Sequence, residues 1–191
     1  GEVLIDGVDV KEYPFSQLRG MIGIVPQKAV LFKGTIRHNM QWRDKNATDE
    51  DIWNALDIAQ AKDFVEKNPD KLDEMILQEG KNLSGGQRQR LTIARALVGD
   101  PEILILDDSA SALDLATDAR LRKAIHEKTS GMTVFIVSQR ISSIKSADKI
   151  IVLDDGKIAG IGTHSELYKG CEVYKEICLS QLSEKEAQAN G

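Results

Sequence analysis

Leu83-Ser84-Gly85-Gly86-Gln87-Arg88-Gln89-Arg90, followed by the apolar run Ile103-Leu104-Ile105-Leu106 and the carboxylates Asp107-Asp108, decides how this chain is read. A Ser-Gly-Gly turn opening a helix offers an anion a hydroxyl, unobstructed backbone N–H groups and the positive helix end. A carboxylate at the carboxyl-terminal edge of a strand offers a ligand for Mg2+. Phosphate and metal together suggest a nucleoside triphosphate. The pattern predicts a helix from Ser84 to Val98, with Leu91, Ala94, Leu97 and Val98 along one face, ending before Gly99-Asp100-Pro101.

Outward from this stretch, short apolar strands at Met21 to Val25, Ile103 to Leu106 and Thr133 to Ser138 alternate with helical segments. That is the pattern of an α/β fold, a mostly parallel sheet covered by helices. Val3 to Val10 reads as a hairpin about Asp6-Gly7, and Ile150 to Ile161 as another about Asp155-Gly156. Between about Asp44 and Glu79 the pattern turns helical. Thr48 is a natural N-cap before Asp49, Glu50 and Asp51, and Ile52, Trp53, Ala55, Leu56, Ile58 and Ala59 recur at helical spacing. Trp42 and Trp53 are expected to pack within this helical insertion, and the polar tail from Ser183 to Gly191 is expected to fray.

The chain has 191 residues, 41% of them hydrophobic, enough to bury a substantial core. A formal charge of -5 argues against a nucleic-acid surface, which calls for a basic face. The longest apolar runs fall far short of the roughly 20 residues that cross a bilayer. Gly1-Glu2-Val3-Leu4-Ile5 has no initiator Met and no leader-like pattern, so the chain reads as a piece of a longer protein. Cys171 and Cys178 have no metal-type spacing and read as small buried or half-buried thiols. His38, His126 and His164 are isolated in sequence and read as surface or locally bonded side chains. The charges of Arg120, Arg122, Lys123, Glu127 and Lys128 read as a solvated helix face.

Six segments stand in a telling order: Gln27 after Ile22-Gly23-Ile24-Val25, the run Leu31-Phe32-Lys33-Gly34-Thr35-Ile36-Arg37-His38-Asn39, Leu83 to Gln87, the Asp107 strand, Ser111-Ala112-Leu113-Asp114, and Ser138-Gln139-Arg140. They resemble the Q-loop, signature, Walker B, D-loop and switch loop of an ABC-transporter ATPase domain. The Leu31 to Arg37 run and Gly162-Thr163-His164 resemble exporters more than importers. The resemblance implies a P-loop NTPase-like sheet with an inserted helical subdomain and with its N-terminal β elements missing. It divides the chain into core strands and Q-loop at 1–43, a helical subdomain with the signature helix at 44–98, and a second core segment at 99–182.

It also implies function. ATP and Mg2+ are the expected ligands, in an ATPase working at the cytoplasmic face of the cell membrane. Two such domains pair head to tail, so Ser84, Gly85, Gly86 and Gln87 would serve ATP held by a second ABC ATPase domain. Asp107 and Gln27 would hold Mg2+, and Asp114 would cross the domain interface. A transmembrane domain of the same polypeptide would be the other partner, with no nucleic acid involved. Gln78 stands where exporters commonly carry Glu, in a segment expected to touch the transport domain.

Two departures bear on chemistry. After the Walker B aspartate the family carries a catalytic Glu, and here Asp108 is one methylene shorter; the switch loop carries a His, and here it is Gln139. A carboxylate displaced by about an ångström from the attacking water can lose roughly 10²-fold in rate. Gln139 can hydrogen-bond a γ-phosphate but cannot carry the positive charge of an imidazolium. The pair implies a degenerate site within a heterodimeric exporter. No Gly-x-x-x-x-Gly-Lys-Ser/Thr loop occurs in the 191 residues, so the chain alone is expected to bind ATP weakly or not at all. Three other readings stay open: a homodimeric exporter in which Asp108 is a slow base, a soluble ABC-class ATPase outside transport, and a purely regulatory nucleotide-binding module.

Overall fold

Asp-Gly turns, helix caps and apolar strands organise the computed structural model, which describes residues 1–109, 111–129 and 131–181; the tail from Ser183 lies outside them. The chain divides into two compact units, Gly1–Val137 and Ser138–Gly191.

The first unit opens with β1 (Leu4–Ile5) and β2 (Val8–Asp9), joined antiparallel. Asp6 and Gly7 between them both have positive φ, 50° and 81°, as a type I′ turn demands. Helix α1 (Phe15–Met21) starts at Pro14, and Met21 is buried at its end. Met21 therefore belongs to a helix and not to the strand predicted to begin there; the ladder starts only where Ile22 meets Ile103. Strand β3 (Ile22–Val25) follows, then β4 (Gly34–Thr35) and α2 (Ile36–Gln41). Helices α3 (Asp49–Ile58) and α4 (Lys62–Glu66) come next, and β5 (Met75–Ile76) returns to pair with β4. Helix α5 (Gly85–Leu97), β6 (Ile103–Asp107), α6 (Leu115–Lys128) and β7 (Thr133–Val137) complete the unit.

The sheet β3-β6-β7 is parallel throughout, with Ile22 opposite Ile103, Val25 opposite Leu106 and Asp107 opposite Val137. Parallel neighbours need long crossovers, and here these carry the helices, which makes the fold α/β. A side chain at position 23 would place its Cβ 2.5 Å from the Ala96 carbonyl oxygen, so Gly23 is what lets α5 lie against β3. One continuous apolar core joins sheet and helices through Val25, Met40, Ile52, Leu56, Leu91, Ile93 and Leu104, all fully buried. Full burial of each such side chain contributes about 1.5–3 kcal/mol.

Two further expectations are corrected in this unit. Trp42 is 61% exposed beyond the end of α2, its ring 4.4 Å from that of Phe32, whereas Trp53 does pack against the core. The charged face of α6 is not wholly solvated: Arg122 pairs at 3.2 Å with the buried Asp118, and Lys128 pairs with Asp57 of α3. The first pair are i,i+4 neighbours on the helix, whereas Asp57 lies 71 residues from Lys128, outside what a local charge pattern displays.

The second unit holds α7 (Ile141–Ile144), β8 (Ile150–Asp154), β9 (Lys157–Gly162), α8 (His164–Gly170) and α9 (Glu172–Gln181). Strands β8 and β9 form the second hairpin, with Asp155 and Gly156 again at positive φ, 45° and 73°. One face, Ile150 and Val152, packs on Leu167, Tyr174 and Cys178. Cys171 is half-buried and Cys178 buried, both as free thiols.

Candidate functional site

Strand register sets the first candidate surface. Val25 stands opposite Leu106 in the parallel ladder, so two further residues along each chain bring Gln27 level with Asp108. Pro26 lacks an N–H and ends the ladder between them. The Gln27 Nε2 donates to Asp108 Oδ2 at 3.2 Å, a bond between residues 81 apart in sequence.

Asp108 is otherwise held by its backbone. Its N–H donates to the Val137 carbonyl at 2.9 Å, and its own carbonyl accepts from Ser111 N and Ser111 Oγ at 3.2 and 2.9 Å. Its φ is 42°, left-handed, which Asp tolerates better than most side chains. Asp107, the last residue of β6, is exposed. Gln27, Asp107 and Asp108 thus gather at the carboxyl edge of the sheet, where open α/β folds place their ligands. They supply hard oxygen donors suited to Mg2+, which accepts few protein ligands and keeps water for the rest. No cluster of three or more potential metal-binding His, Cys, Asp or Glu side chains occurs among the described residues.

The amino end of α5 presents a separate surface. Ser84 is its N-cap: its Oγ accepts from Gln87 N at 3.2 Å, while Gln87 Oε1 accepts from Ser84 N at 2.9 Å. This reciprocal box satisfies two backbone donors at the start of the helix. The first turn leaves the Gly85 and Gly86 N–H groups without intrahelical acceptors. Gly86 lies against the segment after Asp108, for an added Cβ would stand 3.4 Å from the Ala112 carbonyl oxygen. Gly85 faces open space, its added Cβ meeting nothing nearer than one end of Arg88 at 4.0 Å. Arg90 anchors the same helix, donating to the Gln60 carbonyl at 2.6 Å and lying over the Phe64 ring; burial lowers its pKa. The site residues of α5 are therefore rigidly based and open outward.

Asp114 caps α6, accepting from Thr117 Oγ1 at 2.7 Å and Thr117 N at 2.9 Å. The Thr117 hydroxyl, then its N–H, hold the carboxyl below the ordinary carboxylate range. Capping and an exposed position are both available to it.

Gln139 lies in the second unit with an exposed side chain. Its backbone carbonyl accepts from Gln181 Nε2 at 2.6 Å, and Gln181 Oε1 accepts from Ile141 N at 3.0 Å. Sequence reasoning passed over Gln181, although Tyr174, Cys178 and Gln181 recur at the spacing of one helix face. It also passed over Arg43, whose guanidinium donates to the carbonyls of Val98, Ile22 and Gly20 at 2.7–2.9 Å and so ties the end of α5 to the start of β3. No local pattern signals a side chain satisfied by distant carbonyls. Gln78 stands in a short 3₁₀ turn from Gln78 to Gly80 before α5, where Glu79 has a φ of 61°.

A family model described as ABC transporter matches residues 1–111. An uncharacterized ABC transporter ATP-binding protein of Mycobacterium bovis is 44% identical over 184 residues, covering 95% of this chain and 31% of that protein. A probable multidrug resistance ABC transporter ATP-binding/permease protein of Bacillus subtilis is 43% identical, covering 92% of the chain and 30% of that protein. The chain thus spans about a third of the length of these relatives. Among solved structures, a bacterial Atm1-family ABC exporter with ATP bound superimposes with a TM-score of 0.90 at 36% identity, over 96% of this chain and 32% of that one.

Proposed function

This chain belongs to the ABC transporter ATP-binding family, and on that premise we propose that it is the ATP-binding part of an exporter at the cytoplasmic face of the cell membrane. It couples ATP binding and hydrolysis to export through a transmembrane domain of its own polypeptide. Its second partner is an ABC ATPase domain of a non-identical half-transporter.

The observation that carries this reading is the open amino end of α5. Glycine lowers helix stability, yet neither a positive φ nor any close neighbour within the described chain calls for it at position 85. A surface needed by a ligand held elsewhere explains the residue. Ser84 Oγ and the N–H groups of Gly85 and Gly86 accordingly face ATP bound to the partner domain, with Gln87 bracing the turn. Asp114 lies toward the same interface.

At the chain's own site, Gln27 and Asp107 hold Mg2+, which supplies charge neutralisation for the phosphates. Asp108 takes the position of the proton acceptor for the attacking water, and Gln139 donates to the γ-phosphate. Asp108 is short and bonded to Gln27, and Gln139 is uncharged, so this site turns over slowly and the partner's site carries most hydrolysis.

ATP turnover of the full-length chain, alone and with its candidate partner, tests the reading. Slow turnover alone and a rise of about 10²-fold on pairing is the expected result for a site missing its positioned base. Rapid turnover by the chain alone would sink the heterodimer.

A further inference from the structure

The carboxyl-terminal helix α9 is tied into the core of the second unit by Tyr174 and Cys178, which are 1% and 0% exposed. Tyr174 is fixed further by His164, whose Nδ1 lies 2.9 Å from the Tyr174 hydroxyl oxygen. Gln181 follows Tyr174 by seven residues and Cys178 by three, so the helical repeat carries it onto the same face. There its single amide makes two bonds to one short segment. Nε2 donates to the Gln139 carbonyl at 2.6 Å, and Oε1 accepts from the Ile141 N–H at 3.0 Å. The second bond satisfies an N–H in the first turn of α7, a helix with no side-chain cap of its own. The Ser138 hydroxyl accepts from Arg140 N at 3.0 Å, so three consecutive backbone positions, 139 to 141, are tied down.

We infer that Gln181 is a positioning residue for Gln139, acting on the nucleotide reaction through the backbone of the 138–141 segment. The inference rests on the proposed contact between Gln139 and the γ-phosphate. The amide is suited to the task because it presents a donor and an acceptor at once, which neither Glu nor Leu does. Glu at 181 keeps the acceptor for Ile141 N and loses the donor to Gln139. Leu loses both. The two replacements therefore separate a role in placing Gln139 from a role in starting α7.

The experiment uses the full-length transporter assembled with its partner. Single-turnover hydrolysis at this chain's site, the KM for ATP and hydrogen exchange over residues 138–144 are measured for Gln181→Glu, Gln181→Leu and Gln139→Ala, and for Gln139→Ala combined with Gln181→Glu. Gln181→Glu is expected to slow hydrolysis about tenfold with KM changed by less than about twofold, since orientation and not binding is lost. In the Gln139→Ala background the same change is expected to alter the rate by less than about twofold, the non-additivity of residues acting as a unit. Gln181→Leu speeds exchange of the Ile141 amide, and Gln181→Glu leaves it protected. Equal losses in both backgrounds, or a Gln181→Glu rate equal to that of the parent when Gln139→Ala is slow, would overturn the positioning role alone. An unchanged rate in Gln139→Ala would instead remove the γ-phosphate contact on which it rests. If Gln181→Leu fails to fold, Gln181→Glu, which retains the α7 bond, still decides.

Discussion

Gly85 sits at the first position of α5 with room for a methyl group. Replacing it by alanine removes backbone freedom from the unfolded chain and adds no clash, so Gly85→Ala is expected to leave stability unchanged or raise it by up to about 1 kcal/mol. The same methyl would stand where the proposed partner's phosphates approach. Urea unfolding of the full-length protein measures the first effect and ATP turnover of the pair the second; a variant both stable and slow supports use in trans, and a destabilised one contradicts the reading of the open face. Asp108 shows the opposite situation. Its backbone is bonded on both sides and its φ of 42° narrows the residues that fit, so shape as well as charge constrains what can stand there.

Caps and turns were the elements most legible in the sequence. Thr48 and Asp51 form a capping box at α3, with Thr48 N donating to Asp51 Oδ2 at 2.8 Å. Thr48→Ala is expected to cost about 1 kcal/mol, read as a lower urea midpoint with unchanged slope. Both Asp-Gly hairpins and the α5 start were equally visible, because each is decided within a few residues. The β4–β5 pair was not: Gly34-Thr35 meets Met75-Ile76 across 40 residues, in strands too short to show a period. The Gln27–Asp108 bond follows from register, which no single strand displays. In the second unit α8 and α9 enclose a perturbed histidine and a perturbed tyrosine. Burial, with Lys145 nearby, holds His164 below its ordinary 6.5, and burial pushes Tyr174 up to about 12 from 10.0. A histidine kept neutral in the fold destabilises it once the unfolded chain takes up protons, and a tyrosine kept neutral does so once the unfolded chain releases them. The stability of this unit against thermal unfolding is therefore expected to be highest between about pH 6.5 and 9, since burial also raises the Cys178 thiol from its ordinary 9.0, and to fall on either side; a flat profile would contradict the environment of these groups.

At the scale of the molecule, the parallel sheet of the first unit has apolar side chains on open display: Ile24 is 59% exposed and Phe135 and Val137 each 55%. The hairpin of the second unit does the same with Ile151, Leu153, Ile158 and Ile161. Parallel sheets are ordinarily covered on both faces, and apolar patches of this kind drive association. Sedimentation of the 191 residues by themselves is expected to show concentration-dependent self-association that Ile24→Thr together with Phe135→Thr reduces; a monomer at all concentrations would contradict it. Fold class was legible here because strands and helices alternate, whereas which faces lie open depends on the assembled sheet. The register of β3 against β6 has a last consequence, for the history of the chain. Apolar exchanges within β3 or β6, other than at Gly23, leave Gln27 level with Asp108, but one residue gained or lost in either strand turns every following side chain to the opposite face. Change along these strands is therefore constrained first in length and, at Gly23, in side-chain size, whereas residues added in the long crossover between them leave the register untouched.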